Sequence, residues 1–177
     1  EKMKRFNLTT IKSAKSNNTE NTKTKNNKED NNMKINNNEV KFTTNKVVLH
    51  NPHINNMWSY NDTIPKKYST AIIVPEVDTE TLSSINEAVE QAKSIGRKLY
   101  GEHIEFTSPL REPGISNSLD PYYKFNYTMF PSTIIKPTVF NEDKQKIDLP
   151  DSKIEGHYAR VSISFYPYSH KGKSGIG

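Results

Sequence analysis

The chain has 177 residues, a formal net charge of +5 at pH 7 and a mean hydropathy of −0.84; 32% of its residues are hydrophobic, which is low for a globular protein. It contains no cysteine, which excludes disulfide bonds and zinc sites built from thiolates. No apolar run is long enough to span a membrane and no signal peptide is recognisable, so a cytoplasmic protein is expected.

Charge and polarity divide the chain near residue 45. Residues 1–45 hold 10 of the 25 Lys and Arg and 5 of the 20 Asp and Glu, so they carry +5, while residues 46–177 hold 15 of each and are neutral. Residues 1–45 are rich in Asn and Lys, which predicts a tail that is disordered or docks on a partner. Residues 46–177 are predicted to form one domain, on which any nucleic-acid site must come from local clustering.

Two strands separated by a loop are predicted first in this domain. Residues 46–51 and 68–74 have strand patterns that end at prolines, and residues 52–67 between them are a predicted loop with the only tryptophan. A lone loop tryptophan often caps a core, but the polar neighbours here favour exposure. The loop therefore supplies one candidate cluster of rings and cations: Trp58, Tyr60, Lys66 and Lys67.

A helix is predicted over Thr79–Tyr100. Asp78 or Thr79 can cap its beginning, and Gly101 follows its end. The helix has a single apolar stripe, which predicts that it packs on a sheet. The stripe consists of Leu82, Ile85, Val89, Ala92, Ile95 and Leu99.

A long loop and a further strand are predicted next. Residues 101–122 form the loop, which holds Arg111; an ordinary surface salt bridge is the alternative explanation for this arginine. Residues 123–135 predict a strand, and residues 136–140 continue it past a bend at Lys136. One face of this strand carries Tyr123, Phe125, Tyr127 and Met129, and the other carries Lys124, Asn126, Thr128 and Phe130.

Residues 156–173 show the strictest alternation in the chain. One face is apolar, and the other combines rings with cations, which is what single-stranded nucleic acid requires for base stacking and phosphate contact. A half-exposed sheet face is the alternative, since tyrosine is a normal strand residue. The apolar face is Ala159, Val161, Ile163 and Phe165; the other is Tyr158, Arg160, Ser162, Ser164, Tyr166 and Tyr168, followed by His170, Lys171 and Lys173.

The order of elements predicts a mainly β fold. Strands outnumber helices, and one long helix lies between them, which is typical of an OB-fold-like small barrel with an inserted helix.

Signs of catalysis are weak. His50 and His53 lie close together but have no further ligand at metal-binding spacing, and the Lys-Ser pair at residues 173–174 lacks the glycine spacing of a phosphate-binding loop. The carboxylates lie in predicted loops and turns, where solvation explains them. We therefore expect no enzyme, no metal and no cofactor.

Several segments resemble the phage-type single-stranded DNA-binding proteins of tailed phages and related mobile elements. The most specific is EGHYARVSISFYPYSHKGKSGIG at 155–177, and the others are KKYSTAIIVPEVD at 66–78, INEAVEQAKSIGRKLYG at 85–101, TSPLRE at 107–112 and IIKPTVFNED at 134–143. The resemblance covers about residues 46–177. It implies an OB-fold that binds single-stranded DNA with little sequence preference, without a cofactor, in the bacterial host cytoplasm.

The resemblance also bears on individual residues. It implies that Arg111 lies in a loop after Pro-Leu and that Lys136 precedes the next strand segment. It also implies that four residues of the ring-bearing face lie on a barrel strand: Tyr158, Arg160, Tyr166 and Tyr168. The long polar tail and the Glu112 that follows Arg111 depart from the family pattern. The candidate DNA-binding residues are Trp58, Tyr60, Lys66, Lys67, Arg111, Lys124, Tyr127, Lys136, Tyr158, Arg160, Tyr166, Tyr168, Lys171 and Lys173.

Two functions remain open at this point. The first is coating of single-stranded DNA in phage or mobile-element replication or recombination. The second is an accessory subunit of a DNA polymerase, primase or helicase, in which the barrel acts mainly as a protein-interaction module. Whether the protein forms a homo-oligomer is also open.

Overall fold

The computed structural model describes residues 6–9, 33–36, 38–114 and 120–177. In these ranges the chain forms twelve strands, two α-helices and one 3₁₀ turn. In chain order they are β1 (Phe6–Thr9), β2 (Met33–Asn36), β3 (Glu39–Thr43), β4 (Val47–Trp58), β5 (Lys67–Pro75), α1 (Thr79–Tyr100), α2 (Pro121–Phe125), β6 (Asn126–Met129), β7 (Ser132–Thr133), β8 (Thr138–Asn141), β9 (Lys146–Ile147), the 3₁₀ turn (Asp151–Lys153), β10 (Tyr158–Phe165), β11 (Pro167–His170) and β12 (Lys173–Ile176).

Ten of these strands form one curled sheet. Its main path runs β6-β5-β4-β10-β1-β8-β9, with β3 also on β10, β2 on β3 and β7 on β5, while β11 and β12 form a separate hairpin. The β1–β10 pair is parallel and the other pairs are antiparallel. The sheet curls into a half-barrel with one long helix, which confirms the predicted mainly β, OB-fold-like class.

The two faces of strand β10 have different surroundings: one faces the core and the other lies on the opposite side of the sheet. Its buried and less buried residues alternate along the whole strand, as the sequence pattern predicts. The core side holds Ala159, Val161, Ile163 and Phe165, all 6% exposed or less.

Helix α1 has the bounds that its sequence predicts. Asp78 caps it, since the carboxylate accepts a hydrogen bond from the Thr81 N–H, and the Gly101 N–H donates to the Arg97 carbonyl at its end. The helix lies against β3, β10, β11 and β12. Its buried stripe is shorter than predicted, because Leu99 is 47% exposed.

Two predicted boundaries are wrong. Residues 52–58 were expected in a loop but continue β4, since Pro52 falls at an irregularity where Asn51 adopts a φ of 48° and the register shifts. Residues 123–125, predicted as the start of a strand, and residues 121–122, predicted at the end of a loop, together form α2, because Asp120 caps the helix and Pro121 opens it. Both prolines fit local geometries that strand periodicity does not report.

The ring-bearing segment at 156–173 also divides into two strands. β10 ends at Phe165, and β11 begins in the separate hairpin. The hairpin turn consists of Lys171 and Gly172, whose φ values of 49° and 76° match a tight type I′ connection.

Part of the segment expected to be a tail belongs to the fold. Strand β3 pairs with β10, and its Val40 and Phe42 are 0% and 2% exposed in the core. The backbone of Phe6–Thr9 pairs with β10 and β8. Residues 10–32 lie outside the described residues, so their predicted disorder stays a prediction. Within the described part of the chain, neither helix is both long and apolar enough to cross a membrane.

Gly96 sets how closely α1 approaches the C-terminal hairpin. A Cβ atom on this residue would lie 2.7 Å from the Phe106 ring and 2.8 Å from the Pro167 Cβ, closer than real contacts allow. We expect Gly96→Ala to lower the free energy of unfolding by about 1–2 kcal/mol, because overpacking outweighs the gain in helix propensity. Urea denaturation measures this change.

The matched control is Ser94→Ala, on the solvent side of the same helix. It gains helix propensity without a clash, so its stability should stay equal or rise slightly. Equal stability changes in the two variants would contradict the close-approach argument.

Candidate nucleic-acid interface

The side of the sheet opposite the core is here called the outer face, and on β10 it carries Tyr158, Arg160, Ser162 and Ser164. Directly paired residues on neighbouring strands share a face. Tyr158 pairs with Val48 on β4, while Ser162 and Ser164 pair with Thr43 and Lys41 on β3. The outer face therefore runs continuously across β3, β10 and β4.

Arg160 and Tyr158 occupy this face in different ways. The Arg160 Nε donates a hydrogen bond to the Thr44 carbonyl at 3.2 Å, which fixes the direction of the guanidinium. The Thr44 hydroxyl in turn accepts from the Val161 N–H at 3.0 Å, and Thr44 itself is fully buried. Tyr158 is 46% exposed. A cation with a fixed direction and an exposed ring thus lie two residues apart on β10.

The tip of the β4–β5 hairpin gathers a second set of rings. The His53 and Trp58 rings are nearly parallel, at 9° and 5.0 Å between centroids, and the Tyr60 ring meets the Trp58 ring edge-on at 6.4 Å. Trp58 pairs with Lys67. The exposed fractions are 46% for Trp58 and 83% for Tyr60. With Lys66, which is also exposed, these five residues form the hairpin-tip cluster.

Two register shifts in β4 bring this cluster to the outer face. His50 pairs with Ala71, His53 with Ser69 and Trp58 with Lys67, so unequal numbers of residues oppose each other between the pairs. Ala71, Ser69 and Lys67 are alternate residues of β5 and therefore share a face. Their three partners on β4 lie on the same face, although these partners are three and five residues apart in sequence. The sequence predicts Trp58 in this cluster, but the role of His53 depends on the shifts.

A third group of rings surrounds His50 and is here called the α2 cluster. The Tyr122 ring stacks on His50 at 4.4 Å between centroids, the Tyr123 ring meets it edge-on at 5.3 Å, and Tyr123 contacts Phe130 at 5.6 Å. The Arg111 guanidinium carbon lies 4.8 Å from the centre of the Phe130 ring. Arg111 thus packs against an aromatic ring, a contact between a cation and a π-system.

Two carboxylates hold the His50 ring. Its Nδ1 lies 2.6 Å from Glu155 Oε1, and its Nε2 lies 2.8 Å from Asp120 Oδ2. The other Glu155 oxygen accepts from the Asn51 N–H, and the other Asp120 oxygen accepts from the Tyr122 N–H. The network joins β4, the start of α2 and the segment before β10.

Burial and charge oppose each other in this network. Burial alone would lower the pKa of His50, but the hydrogen bonds and charges of Glu155 and Asp120 raise the pKa above its ordinary value of 6.5. Burial would raise the pKa of Asp120, yet the Tyr122 N–H and His50 bring the pKa below its ordinary 3.8. The pKa of Tyr123 is raised, by burial first and then by the two carboxylates.

Two further predicted tyrosines extend over the C-terminal hairpin. Tyr166 and Gly177 exchange backbone hydrogen bonds of 3.0 and 2.9 Å, and Tyr168 pairs with Gly175. A Cβ on Gly175 would lie 2.8 Å from the Tyr168 hydroxyl, so the ring lies across the glycine. Both tyrosines are exposed, by 53% and 40%, and the nearby Lys171 and Lys173 are exposed as well.

The remaining predicted residues lie elsewhere. The Lys124 ammonium lies 5.3 Å from the Phe125 ring centre on α2, and the Lys136 ammonium lies 3.9 Å from an Asp148 oxygen. Tyr127 pairs with the buried Val74 and packs against the core. The structure therefore places Tyr127 on the opposite side of the sheet from Tyr158.

A curled, mainly β sheet with rings and cations along one face is typical of barrels that bind nucleic acids. The chain matches the family described as Enterobacter phage Enc34, ssDNA-binding protein, over residues 40–177, and it belongs to that family. The matched region begins with β3. No curated protein matches the chain.

Three solved structures of the single-stranded DNA-binding protein from bacteriophage Enc34 have a similar fold. The complex with ssDNA has a TM-score of 0.61 at 16% identity and covers 79% of this chain and 81% of that chain. The C-terminal truncation has a TM-score of 0.56 at 16% identity, covering 79% and 80%. The third structure has 0.53 at 15%, covering 79% and 75%. These likenesses establish the fold.

The His50 network predicts a pH dependence of stability. Because the pKa of folded His50 lies above 6.5, its stabilisation is complete below that pH and is lost as pH rises through the pKa of the folded state. We expect the free energy of unfolding to fall by about 1 kcal/mol between about pH 6 and 9, a size that allows for solvent screening. Urea denaturation at several pH values measures it.

The control for this prediction is His50→Gln, which cannot gain a proton. Its stability should be lower at about pH 6 and nearly flat over the same range. If the variant keeps the pH dependence of the native sequence, other groups cause it.

Proposed function

We propose that the chain binds single-stranded DNA along the outer face, with little sequence preference. The observation that carries the proposal is that exposed rings and cations from β10 and the β4–β5 hairpin lie on one continuous face of the sheet. Family membership supports it, as does the ssDNA in the complex of the Enc34 protein.

Stacking supplies the sequence-tolerant part of this binding. Every base has an aromatic face, and stacking of one base on a side chain contributes about 1–3 kcal/mol. Trp58, Tyr60 and Tyr158 are exposed enough to receive bases, and His53 backs the Trp58 ring from one side. Bases inside a duplex are already stacked on each other, so these rings would select single strands.

Phosphate contacts supply the salt-dependent part. The candidate cations beside the rings are Lys66 and Lys67 at the hairpin tip and Arg160 on β10. Residues 46–177 carry as many acidic as basic residues, so attraction of DNA by this domain must come from such local groups. The C-terminal hairpin, a separate sheet packed against α1, carries further exposed candidates in Tyr166, Tyr168, Lys171 and Lys173.

The biological role proposed with this binding is protection and handling of single strands during phage or mobile-element replication or recombination. The protein would act as a binder rather than as an enzyme, and stacking and charge would suffice without a cofactor. A host-cell cytoplasmic location follows from this role.

An accessory-subunit role is the second candidate. Exposed apolar side chains that are not part of the proposed DNA path favour it, with Phe125 at 62%, Ile134 at 69% and Ile135 at 37% exposure. In that role the barrel would bind a polymerase, primase or helicase. A stable complex with such an enzyme, together with weak DNA binding by the chain alone, would favour this function.

The first test removes stacking rings. Trp58→Ala and Tyr158→Ala should each weaken binding of labelled oligo-dT by about 1–3 kcal/mol, because each ring loses one stacked base. Fluorescence anisotropy measures the affinity, and circular dichroism confirms that the variants fold.

Tyr100→Ala is the matched control, since this tyrosine is 44% exposed but lies at the end of α1. Its affinity should equal that of the native sequence. Unchanged affinity in folded Trp58→Ala and Tyr158→Ala proteins would reject the outer face as the binding site.

The second test measures phosphate contacts. The slope of log affinity against log salt should become shallower by about 1.4 in Lys66→Gln/Lys67→Gln, since each contact with a single strand contributes about 0.7. Lys98→Gln, on the solvent side of α1, should leave the slope unchanged. An unaltered slope in the double variant would remove the hairpin tip from the DNA path.

A further inference from the structure

His50 lies where three separate segments of the chain meet. It belongs to β4, Asp120 caps α2, and Glu155 lies in the segment that leads into β10. The side chain is 17% exposed and stacks under Tyr122. The residue that neighbours the outer-face Tyr158 across the strands is Val48, two positions before His50. The network therefore adjoins the outer face.

The protonation state of the ring follows from its two partners. Ionised carboxylates only accept hydrogen bonds, and a neutral imidazole has only one N–H to donate. With carboxylate oxygens at 2.6 and 2.8 Å from the two ring nitrogens, only the imidazolium form satisfies both contacts. A neutral ring would leave one carboxylate facing a nitrogen lone pair.

We propose that His50 is a positioning residue for the DNA interface: its imidazolium form ties α2 and the segment before β10 to β4, and loss of its proton weakens binding of single-stranded DNA. This inference rests on the proposed function. It adds a group that touches no DNA in the proposed path but controls the placement of groups that do.

Loss of the proton has two consequences for an anionic ligand. A neutral ring can donate to only one of the two carboxylates, so His50 loses its tie either to α2 or to the segment before β10, and the groups on that side, the α2 cluster or Tyr158, are held less firmly. In addition, the Asp120 and Glu155 carboxylates next to the outer face lose the positive charge that offsets one of them. Both effects disfavour a phosphate backbone on this face.

The ionisable groups around His50 determine which of them could cause a pH dependence of DNA binding. Among the described residues, the titratable groups that face the ring are Asp120, Tyr122 and Tyr123 from the α2 side and Glu155 from the segment before β10. The residue opposite on β5 is Ala71, which has no charge. The pKa of Asp120 is lowered and that of Tyr123 is raised, so both move away from neutral pH. Imidazole is the side chain whose ordinary titration falls near neutral pH, so a pH effect near neutrality is assigned to the His50 ring.

The experiment measures oligo-dT affinity of the full chain from about pH 6 to 8.5 at constant ionic strength. We expect the affinity to fall by roughly five- to tenfold over this range, the lower end of usual coupling between two linked equilibria. His50→Gln should show a nearly flat profile at the weaker, high-pH affinity. By the same linkage, binding should take up protons in the native sequence and fewer in the variant, measured by calorimetry in two buffers.

Glu155→Gln separates positioning by charge from a purely structural role. It keeps the histidine but removes one negative partner, so the midpoint of the affinity profile should move to lower pH. A merely structural contact would not move the midpoint. His103→Gln is the matched control, because this exposed histidine follows the end of α1, and its profile should equal that of the native sequence.

Two results would overturn the inference: a His50→Gln profile with the native pH dependence, or an unmoved midpoint in Glu155→Gln. If the native chain binds oligo-dT at no pH, the proposed function itself fails, and the inference fails with it. Binding that is tight but independent of pH leaves the proposed function intact and rejects only the role of His50.

Discussion

The pairing register of β10 is the constraint on which the other features of the structure depend. This strand pairs with β3, β4 and β1, so it connects the part of the sheet under α1 with the β4–β5 hairpin. Because side chains alternate, the register sends Val161 and Ile163 into the core and Tyr158 and Arg160 to the outer face. A slip by one residue would exchange the two sets, burying an arginine and exposing the core. The folding requirement and the placement of the rings are thus met by the same pairings.

Local sequence signals predicted the elements whose ends are determined locally. The bounds of α1 follow from the Asp78 cap and Gly101, and the alternation of β10 follows from its apolar residues, so both were predictable from short windows. The errors at Pro52 and at residues 123–125 have a shared cause. Periodicity treats a proline as a strand end or ignores it, whereas the structure accommodates one at a register shift and uses the other to open a helix. The strand at Glu39–Thr43 is not predicted from the sequence, because its buried Val40 and Phe42 lie in a polar, low-complexity segment.

The candidate interface was predictable only as far as neighbours in sequence are neighbours in space. Trp58 and Tyr60 are two residues apart, and their clustering could be inferred directly. The network at His50 joins residues separated by 70 and 105 positions, and no local pattern connects them. The parallel stack of His53 on Trp58 depends on an irregular strand rather than on even spacing. For Tyr127 the local pattern misleads. The residue belongs to an aromatic pattern in the sequence, but its pairing with Val74 places it on the core side of the sheet.

Charge distribution explains how a neutral domain can present a face suited to an anion. Residues 46–177 have equal numbers of acidic and basic side chains, so their net field gives DNA no overall attraction. What matters is which charges are paired. Two carboxylates near the outer face are bound by one histidine, while Arg160 is directed by a carbonyl oxygen and Arg111 lies against a ring. Acidic groups next to the face are thereby partly neutralised, while Arg160 and Arg111 each contact a group that carries no net charge. Under the proposed role of His50, local attraction would depend on the ring keeping its proton, which would link the electrostatics of the face to the packing of α2.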